Sequence, residues 1–271
     1  MHIDPGTGGV LGSVPVSAPQ AIAAGEGAVW VATFWEDTVI RIDPTTYRVA
    51  ARTHLLLPFE VAAGDHRFLP FDIAAGEGGV WVTSGRGAIA RIDPQRNQVE
   101  ATIVTSPQLA GHVTSGEEAV WVVGDLGVSR IDPSTNEVVA GVEVDSAERR
   151  LAIDQVAVAA GSVWASGTWA ESRGSPPDYV LTDQGGVVHI EPSTNGVIGE
   201  ASVPGGSQLL WNSEEVWTIN QDGSRVSPID SETTAFGKTI EAPPDRRFVA
   251  VTRDSLWVIG TDGKLRALRG N

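Results

Sequence analysis

The chain has 271 residues, no cysteine and a formal charge of −15, from 34 acidic and 19 basic side chains. The lack of cysteine excludes disulfides and thiolate metal ligands. The acidic balance argues against nucleic acid and anionic membrane surfaces as partners, and no apolar run is long enough for membrane insertion. With 31 Gly and 16 Pro, we expect a turn-rich, soluble domain with a substantial core.

One pattern returns six times along the chain: an apolar run, a tight turn, an apolar residue before Trp, a loop and a second apolar run. The anchor tryptophans of the six copies are Trp30, Trp81, Trp121, Trp164, Trp217 and Trp257. Their spacing, about 40 to 53 residues, is typical of four-stranded propeller blades. The repeat predicts an all-β fold, a six-bladed β-propeller of four-stranded antiparallel blades in a single domain over residues 1–271, with every anchor in the core.

The first copy predicts one blade strand by strand. Residues 21–24 form an inner strand, and 25–27 supply the positive-φ freedom of a tight hairpin. Residues 29–32 and 39–42 form the second and third strands. The Asp-Pro pair at 43–44 ends the third, because proline cannot donate to a ladder and aspartate bonds nearby amides.

The two ends of the chain complement one another. The last copy stops after its third strand, residues 265–268, and residues 3–14 repeat a strand end, a turn and an outer strand. We therefore expect the N-terminal strand to complete the C-terminal blade and close the ring, which removes exposed strand edges. Because Met1 stands almost directly before this strand, we expect a protein that is either cytoplasmic or an extracytoplasmic bacterial domain without its targeting segment. We also expect a monomer.

The repeats resemble the bacterial YVTN/streptogramin-lyase-type propellers, in residues 22–32 with 41–45 and in residues 129–136. The resemblance covers nearly the whole chain, but its motifs are structural. The family includes virginiamycin B lyase, a metal-assisted enzyme with a Glu-x-His element on its channel face. No Glu-x-His occurs here, so the lyase activity is not carried over. Many relatives are binding, sensor or scaffold domains.

Function is sought where the copies differ. The residue eight before each anchor is apolar throughout, whereas the residue nine before it reads Ala21, Asp72, His112, Gln155, Gln208 and Phe248. Strand alternation assigns the first set to packing and lets the second face the central channel. We predict that Asp72, His112, Gln155 and Gln208 point toward one cavity, flanked by Arg247.

Three interpretations of this polar set remain open. The residues bond one another and channel waters, or bind a small polar ligand, or include the His/Asp pair of a lyase or hydrolase. The catalytic candidates are His112 with Asp72, or His54 and His66 from the first insertion. No cofactor is predicted; a divalent metal stays open, because these few oxygen and nitrogen donors do not identify one.

Two insertions point to a functional rim. Residues 54–71 join the first two blades, and residues 167–179 extend the fourth; long loops on a compact scaffold are commonly functional. Trp35 and Trp169 each follow their anchor by five residues. We expect a small molecule, glycan or peptide to bind at the channel mouth and rim, with contacts also from Phe71 and Tyr179. Trp211 is expected in the core, and His189 is expected to be structural.

Overall fold

A computed structural model describes the chain except for residues 5–6, 8, 59–65, 106–110, 125–126, 146–147, 174–177, 205–206, 213, 221–222, 242–245, 253–254, 261–264 and 269–271. After residue 241 it describes backbone only. All regular secondary structure in the described residues is β-strand. The all-β prediction is confirmed.

The N-terminal half forms a hairpin and three sheets. The N-terminal hairpin pairs β1 (His2–Ile3) with β2 (Val10–Gly12). Sheet 1 contains β3 (Pro19–Gly25), β4 (Ala28–Thr33), β5 (Thr38–Asp43) and β6 (Arg48–His54). Sheet 2 contains β7 (Pro70–Gly76), β8 (Gly79–Ser84), β9 (Ala88–Asp93) and β10 (Gln98–Val104). Sheet 3 contains β11 (Val113–Gly116), β12 (Ala119–Gly124), β13 (Gly127–Asp132) and β14 (Glu137–Val142).

Three more sheets follow. Sheet 4 contains β15 (Arg149–Ala159), β16 (Ser162–Arg173), β17 (Asp178–Glu191) and β18 (Gly196–Pro204). Sheet 5 contains β19 (Ser207–Trp211), β20 (Val216–Asn220), β21 (Arg225–Ile229) and β22 (Ile240–Glu241). In sheet 6 the described strands are β23 (Arg246–Thr252), β24 (Ser255–Gly260) and β25 (Leu265–Leu268). In every sheet, strands adjacent in sequence pair with each other, as in a propeller blade.

The chain divides into two compact units. The first contains residues 1–125 and 129–140, which include the N-terminal hairpin, sheets 1 and 2 and most of sheet 3. The second contains residues 126–128 and 141–271, with sheets 4, 5 and 6. Each unit has its own apolar core between successive sheets.

The tight turns and the Asp-Pro turns form as predicted. Between β3 and β4, Glu26 and Gly27 both have positive φ, 49° and 71°, which suits the right-handed twist of a two-residue hairpin. After β5, Asp43 Oδ1 accepts the backbone N–H groups of Thr45 and Thr46 at 2.7 and 3.2 Å. These hydrogen bonds lower the pKa of the Asp43 carboxyl. Turn hydrogen bonds also lower the pKa of Asp93, Asp132 and Asp230.

Four anchor tryptophans lie in the core, and one does not. Trp30, Trp81, Trp121 and Trp164 are fully buried, and each indole N–H donates to the carbonyl five residues upstream, at 3.1 to 3.3 Å. Trp217 is only half-buried, because its hairpin differs and its indole faces Glu215 at 3.4 Å instead. The side chain of Trp257 lies outside the described residues.

A repeated contact joins each sheet to the next in the first unit. Arg41 lies over the ring of Trp30, with 5.4 Å to its centroid, and its guanidinium donates to Asn97 Oδ1 of the next sheet at 3.2 Å. We call this contact the Arg–Asn latch. It recurs with Arg91, Trp81 and Asn136.

In sheet 4 of the second unit, histidine replaces the arginine of this contact. His189 of β17 stacks on Trp164 with ring centroids 4.1 Å apart and an interplanar angle of 10°. Burial lowers the pKa of His189, and its Nε2 has no hydrogen-bond partner. In the turn after β21, Thr234 stands at the position that Asn97 occupies in sheet 2, and the two residues have similar φ values of 58° and 55°. His189 is therefore structural, as expected.

Two expectations about the sheets are wrong. Residues 167–179 do not form an irregular loop, because β16 and β17 continue their ladder as far as Arg173 and Asp178. Trp211 is not core but 39% exposed, since it ends β19 beside the hairpin turn. The N-terminal segment pairs with itself as β1 and β2, and its pairing with the last sheet stays a prediction.

Candidate functional site

A tryptophan projects from the turn between β4 and β5. The ring of Trp35 is 70% exposed, whereas the turn beneath it is fixed by buried hydrogen bonds. Thr33 Oγ1 donates to the carbonyl of Thr38 at 2.9 Å, and Thr38 Oγ1 donates to the carbonyl of Glu36 at 2.7 Å. The turn is therefore rigid at its base and carries a large apolar ring into solvent.

Arg67, from the first insertion, holds this turn in place. Its Nε donates to Asp37 Oδ2 at 2.9 Å, and its Nη2 donates to the carbonyls of Phe34 and Trp35 at 3.2 and 3.1 Å. Its guanidinium also lies 5.9 Å from the centroid of the Trp35 ring. Charge-assisted hydrogen bonds hold the Asp37 carboxylate, which is 6% exposed, whereas 38% of the Arg67 side chain is open to solvent.

The first insertion packs under the rim and adds a second apolar side chain to it. Leu55, Leu57 and Phe68 are buried in the core between sheets 1 and 2. Leu56 is 60% exposed and pairs with Arg67 across an isolated antiparallel bridge. Cross-strand partners share a face, so Trp35, Arg67 and Leu56 form one exposed surface, which we call the rim patch.

Two of the predicted channel residues meet in the first unit. Asp72 Oδ2 lies 3.0 Å from His112 Nδ1 and accepts the backbone N–H of Val113 at 3.0 Å. Phe71 contacts the His112 ring edge-to-face, with centroids 5.4 Å apart. An ionised Asp72 favours the His112 tautomer that carries its proton on Nδ1. The pair is half-exposed, with 40% of the His112 side chain and 20% of the Asp72 side chain open to solvent.

The same repeat position makes a comparable contact in the second unit. Gln155 Oε1 accepts the backbone N–H of Leu209 at 2.7 Å. Leu209 and Val113 are equivalent, eight residues before their anchors, so Gln155 and Asp72 both tie an inner strand to the next one. Gln208 is exposed. Asp72 bonds another member of the predicted polar set, His112, whereas Gln155 bonds a backbone N–H. The convergence of the four residues on one cavity stays a prediction.

The two histidines of the first insertion contact neighbouring polar atoms. His54 Nδ1 lies 3.5 Å from Thr38 Oγ1, and His66 Nδ1 lies 3.3 Å from the carbonyl oxygen of Leu57. Within the described ranges, no three His, Asp or Glu side chains are grouped so that they could hold a metal ion. The side chain of Arg247 lies outside those ranges.

The aromatic residues of sheet 4 are held by arginines. Trp169 is 3% exposed, because the Arg149 guanidinium covers its ring at 4.1 Å, so this ring offers little surface to a ligand. Tyr179 donates to Asp145 Oδ1 at 2.9 Å, and Arg150 lies 4.5 Å from its ring centroid. The hydrogen bond to Asp145 raises the pKa of Tyr179.

The sequence did not single out Asp37, Arg67 or Leu56. Asp37 and Arg67 are thirty residues apart, and their ion pair depends on how the insertion folds back across sheet 1. The one available signal was Leu56, an apolar residue whose neighbours on both sides are also apolar. Strand alternation must turn one of the three outward if the others are buried.

No protein-family model and no curated protein matches the chain. Solved structures resemble it at low identity. The hydrazine synthase of Kuenenia stuttgartiensis is 13% identical, with a TM-score of 0.58 over 96% of this chain and 68% of the other. A chain of the mitotic checkpoint complex is 15% identical, with a TM-score of 0.64 over 92% and 73%.

BamB from Moraxella catarrhalis is 14% identical, with a TM-score of 0.59 over 92% of this chain and 71% of the other. At these identities the likeness shows the fold alone, a β-propeller, which agrees with the antiparallel four-stranded sheets described above. In the described part of the chain, no helix is long and apolar enough to cross a membrane.

Proposed function

We propose that this protein is a recognition propeller that binds a small molecule, glycan or peptide at the rim patch and the neighbouring channel mouth. The observation that carries the proposal is the Trp35 ring, 70% exposed on a turn that the Arg67–Asp37 ion pair immobilises. An exposed ring on a turn that is already fixed offers apolar area to a ligand at a reduced ordering cost. Tryptophan and arginine are also enriched at binding hot spots.

The chemistry of the patch suits a ligand with one flat apolar face. Trp35 and Leu56 offer apolar surface, and the exposed part of the Arg67 side chain stands between them. Phe71 and the half-exposed His112, which we assign to the channel mouth, provide an aromatic edge and a polar group. A sugar ring, an aromatic ring or an apolar peptide side chain each meets these requirements.

A binding screen of the full chain against a glycan array, a peptide library and a metabolite library tests the proposal. Trp35→Ala should weaken any hit by tenfold or more, corresponding to about 1.4 kcal/mol of binding free energy, and should leave the stability within about 0.5 kcal/mol. Ile198→Ala, which removes another exposed side chain far along the sequence, is the matched control and should bind normally. Equal binding by Trp35→Ala and the unmodified chain would refute the rim patch.

The alternative function is a lyase or hydrolase, which one specific contact favours, the 3.0 Å hydrogen bond between Asp72 and His112. A carboxylate that orients a histidine ring is the usual support of a general base. Turnover of a library member, measured with divalent metal and with chelator, should disappear in His112→Ala. Ile198→Ala, at an exposed position outside the predicted polar set, should keep it. Undiminished turnover in His112→Ala would eliminate this alternative.

The six sheets also need an arrangement in which they form one domain. We take the six sheets as blades of a single ring formed by residues 1–271 of a monomer, in which the N-terminal segment completes the last blade. Deletion of residues 1–16 should then lower the unfolding temperature, because it opens the ring. An unchanged unfolding temperature would refute closure by this segment.

A further inference from the structure

Strand β17 extends beyond its outer neighbour in sheet 4. It pairs with β16 as far as Asp178, opposite Arg173, whereas β18 pairs with it only from Gln184 onward. β18 ends at Pro204, opposite Gln184, and proline cannot donate to a ladder. In the described part of the chain, no strand pairs with the outer side of residues 178–183. We call this segment the β17 edge.

The pairing pattern determines which backbone groups face outward along the β17 edge. The N–H of Ser172 in β16 donates to the carbonyl of Glu148 at 2.8 Å, on the side where β16 pairs with β15. Ser172 therefore directs its backbone polar groups away from β17, so its opposite residue, Tyr179, belongs to a non-hydrogen-bonded pair. Leu181 lies two residues further in the same register, opposite Ala170. Its N–H and C=O therefore also point away from β16.

The β17 edge is exposed and lacks the usual protection of an edge strand. Leu181 is 62% exposed and Val180 is 36% exposed, although their side chains point to opposite faces of the strand. Among the described residues, none hydrogen-bonds the backbone N–H or C=O of Leu181. Natural edge strands are commonly blunted by lysine or proline, and residues 178–183 contain neither. The edge can therefore accept a further strand.

The charges at the β17 edge select the kind of strand it accepts. Its sequence, Asp-Tyr-Val-Leu-Thr-Asp, has an aspartate at each end of a mostly apolar centre, and the side chain of Asp183 is exposed. The nearby arginines are engaged within sheet 4. Arg149 pairs with Glu200 at 3.0 Å, and Arg150 lies 4.5 Å from the ring centroid of Tyr179. We propose that the β17 edge binds an extended peptide whose apolar side chains lie between basic residues, by strand addition.

A peptide suits the edge better than a second copy of the chain. Six residues of strand are about 20 Å long, which is short beside the roughly 20–30 residues that each partner contributes to a stable interface. Symmetric pairing centred between Val180 and Leu181 would also set Asp183 opposite Asp178 of the other copy, and like charges directly opposite are destabilising. Two chains of charge −15 repel each other, whereas a basic peptide is attracted.

The β17 edge and the rim patch are built from different residues in different compact units. Residues 178–183 belong to the second unit, whereas Trp35, Leu56 and Arg67 belong to the first. The rim patch offers side chains to a ligand, but strand addition depends on the backbone N–H and C=O of Leu181. A substitution that removes this N–H therefore tests the edge without touching the rim patch.

Fluorescence anisotropy with two labelled ten-residue peptides tests the proposal. Both peptides have a Thr-Val-Thr-Val-Thr-Val centre, with two lysines at each end of one and two glutamates at each end of the other. The full chain should bind the lysine peptide at least tenfold more tightly at low salt, and added salt should reduce this difference. Leu181→Pro should weaken binding tenfold or more at an unchanged unfolding temperature, because an edge strand tolerates proline where its N–H faces solvent. Leu181→Ala keeps the N–H and is the matched control, which should retain most of the binding.

A second variant keeps the test decisive if Leu181→Pro does not fold. Asp183→Lys should abolish the preference for the lysine peptide. Binding of neither peptide, equal binding of both by the unmodified chain, or full binding by folded Leu181→Pro would overturn the proposal. A dimer in sedimentation velocity that Leu181→Pro abolishes would assign the edge to a second copy instead. Trp35→Ala should bind the lysine peptide normally, and a loss of binding in that variant would move the peptide to the rim patch.

Discussion

Replacing Trp81 by alanine tests the role of the anchors. The ring is fully buried beside Ile89, Val120 and Ile131. About 200 Å² of buried aromatic surface, at about 25 cal/mol per Å², corresponds to about 5 kcal/mol. Because the alanine methyl group retains part of this surface, we expect Trp81→Ala to lower the free energy of unfolding by about 3–5 kcal/mol.

Urea unfolding followed by circular dichroism gives the free energy directly. Trp81→Phe keeps an apolar ring but loses the indole donor to Gly76, which lies 3.1 Å away, so it should cost about 1–2 kcal/mol. Trp35→Ala should change stability by about 0.5 kcal/mol or less, because that ring is exposed. Equal costs for Trp81→Ala and Trp35→Ala would refute the assignment of the anchors to the core.

Three further outcomes follow from local geometry. Gly25→Ala should cost about 1–3 kcal/mol in urea unfolding, since its Cβ would collide with the carbonyl of Ala75, whereas Gly141→Ala, with open space around it, should be neutral. His189 has a folded-state pKa below the unfolded value of about 6.5, so stability should fall as the pH drops through 6.5 toward the folded pKa. His189→Asn should remove this part of the pH dependence of stability. An unchanged pH profile in the variant would contradict the role of His189. Thr234→Asn should raise the unfolding free energy by about 1 kcal/mol, because asparagine tolerates a φ of 58° better than a β-branched residue, and a loss of stability would contradict this reasoning.

Some site features were predictable because they repeat with a fixed spacing. The position nine residues before each anchor identified Asp72 and His112 as neighbours, and they hydrogen-bond at 3.0 Å. The exposure of the rim aromatics was harder to predict, because one of two tryptophans at equivalent positions is exposed and the other is buried. Trp35 projects into solvent, whereas Arg149 covers Trp169, and no local pattern distinguishes the two rings.

Local patterns predicted most strands, the tight turns and the sheet-by-sheet order, since alternation, positive-φ turn residues and the Asp-Pro pairs act within a few residues. They did not predict the continued ladder of β16 and β17. Which surfaces are exposed depends on packing between elements that are distant in the sequence. Two contacts join residues that are 30 and 45 positions apart, the Arg67–Asp37 ion pair and the His2–Tyr47 hydrogen bond. The exposure of Ile22 depends on which element packs against its strand. Packing between elements determines such contacts, and the residue pattern within one strand does not indicate which element packs against that strand.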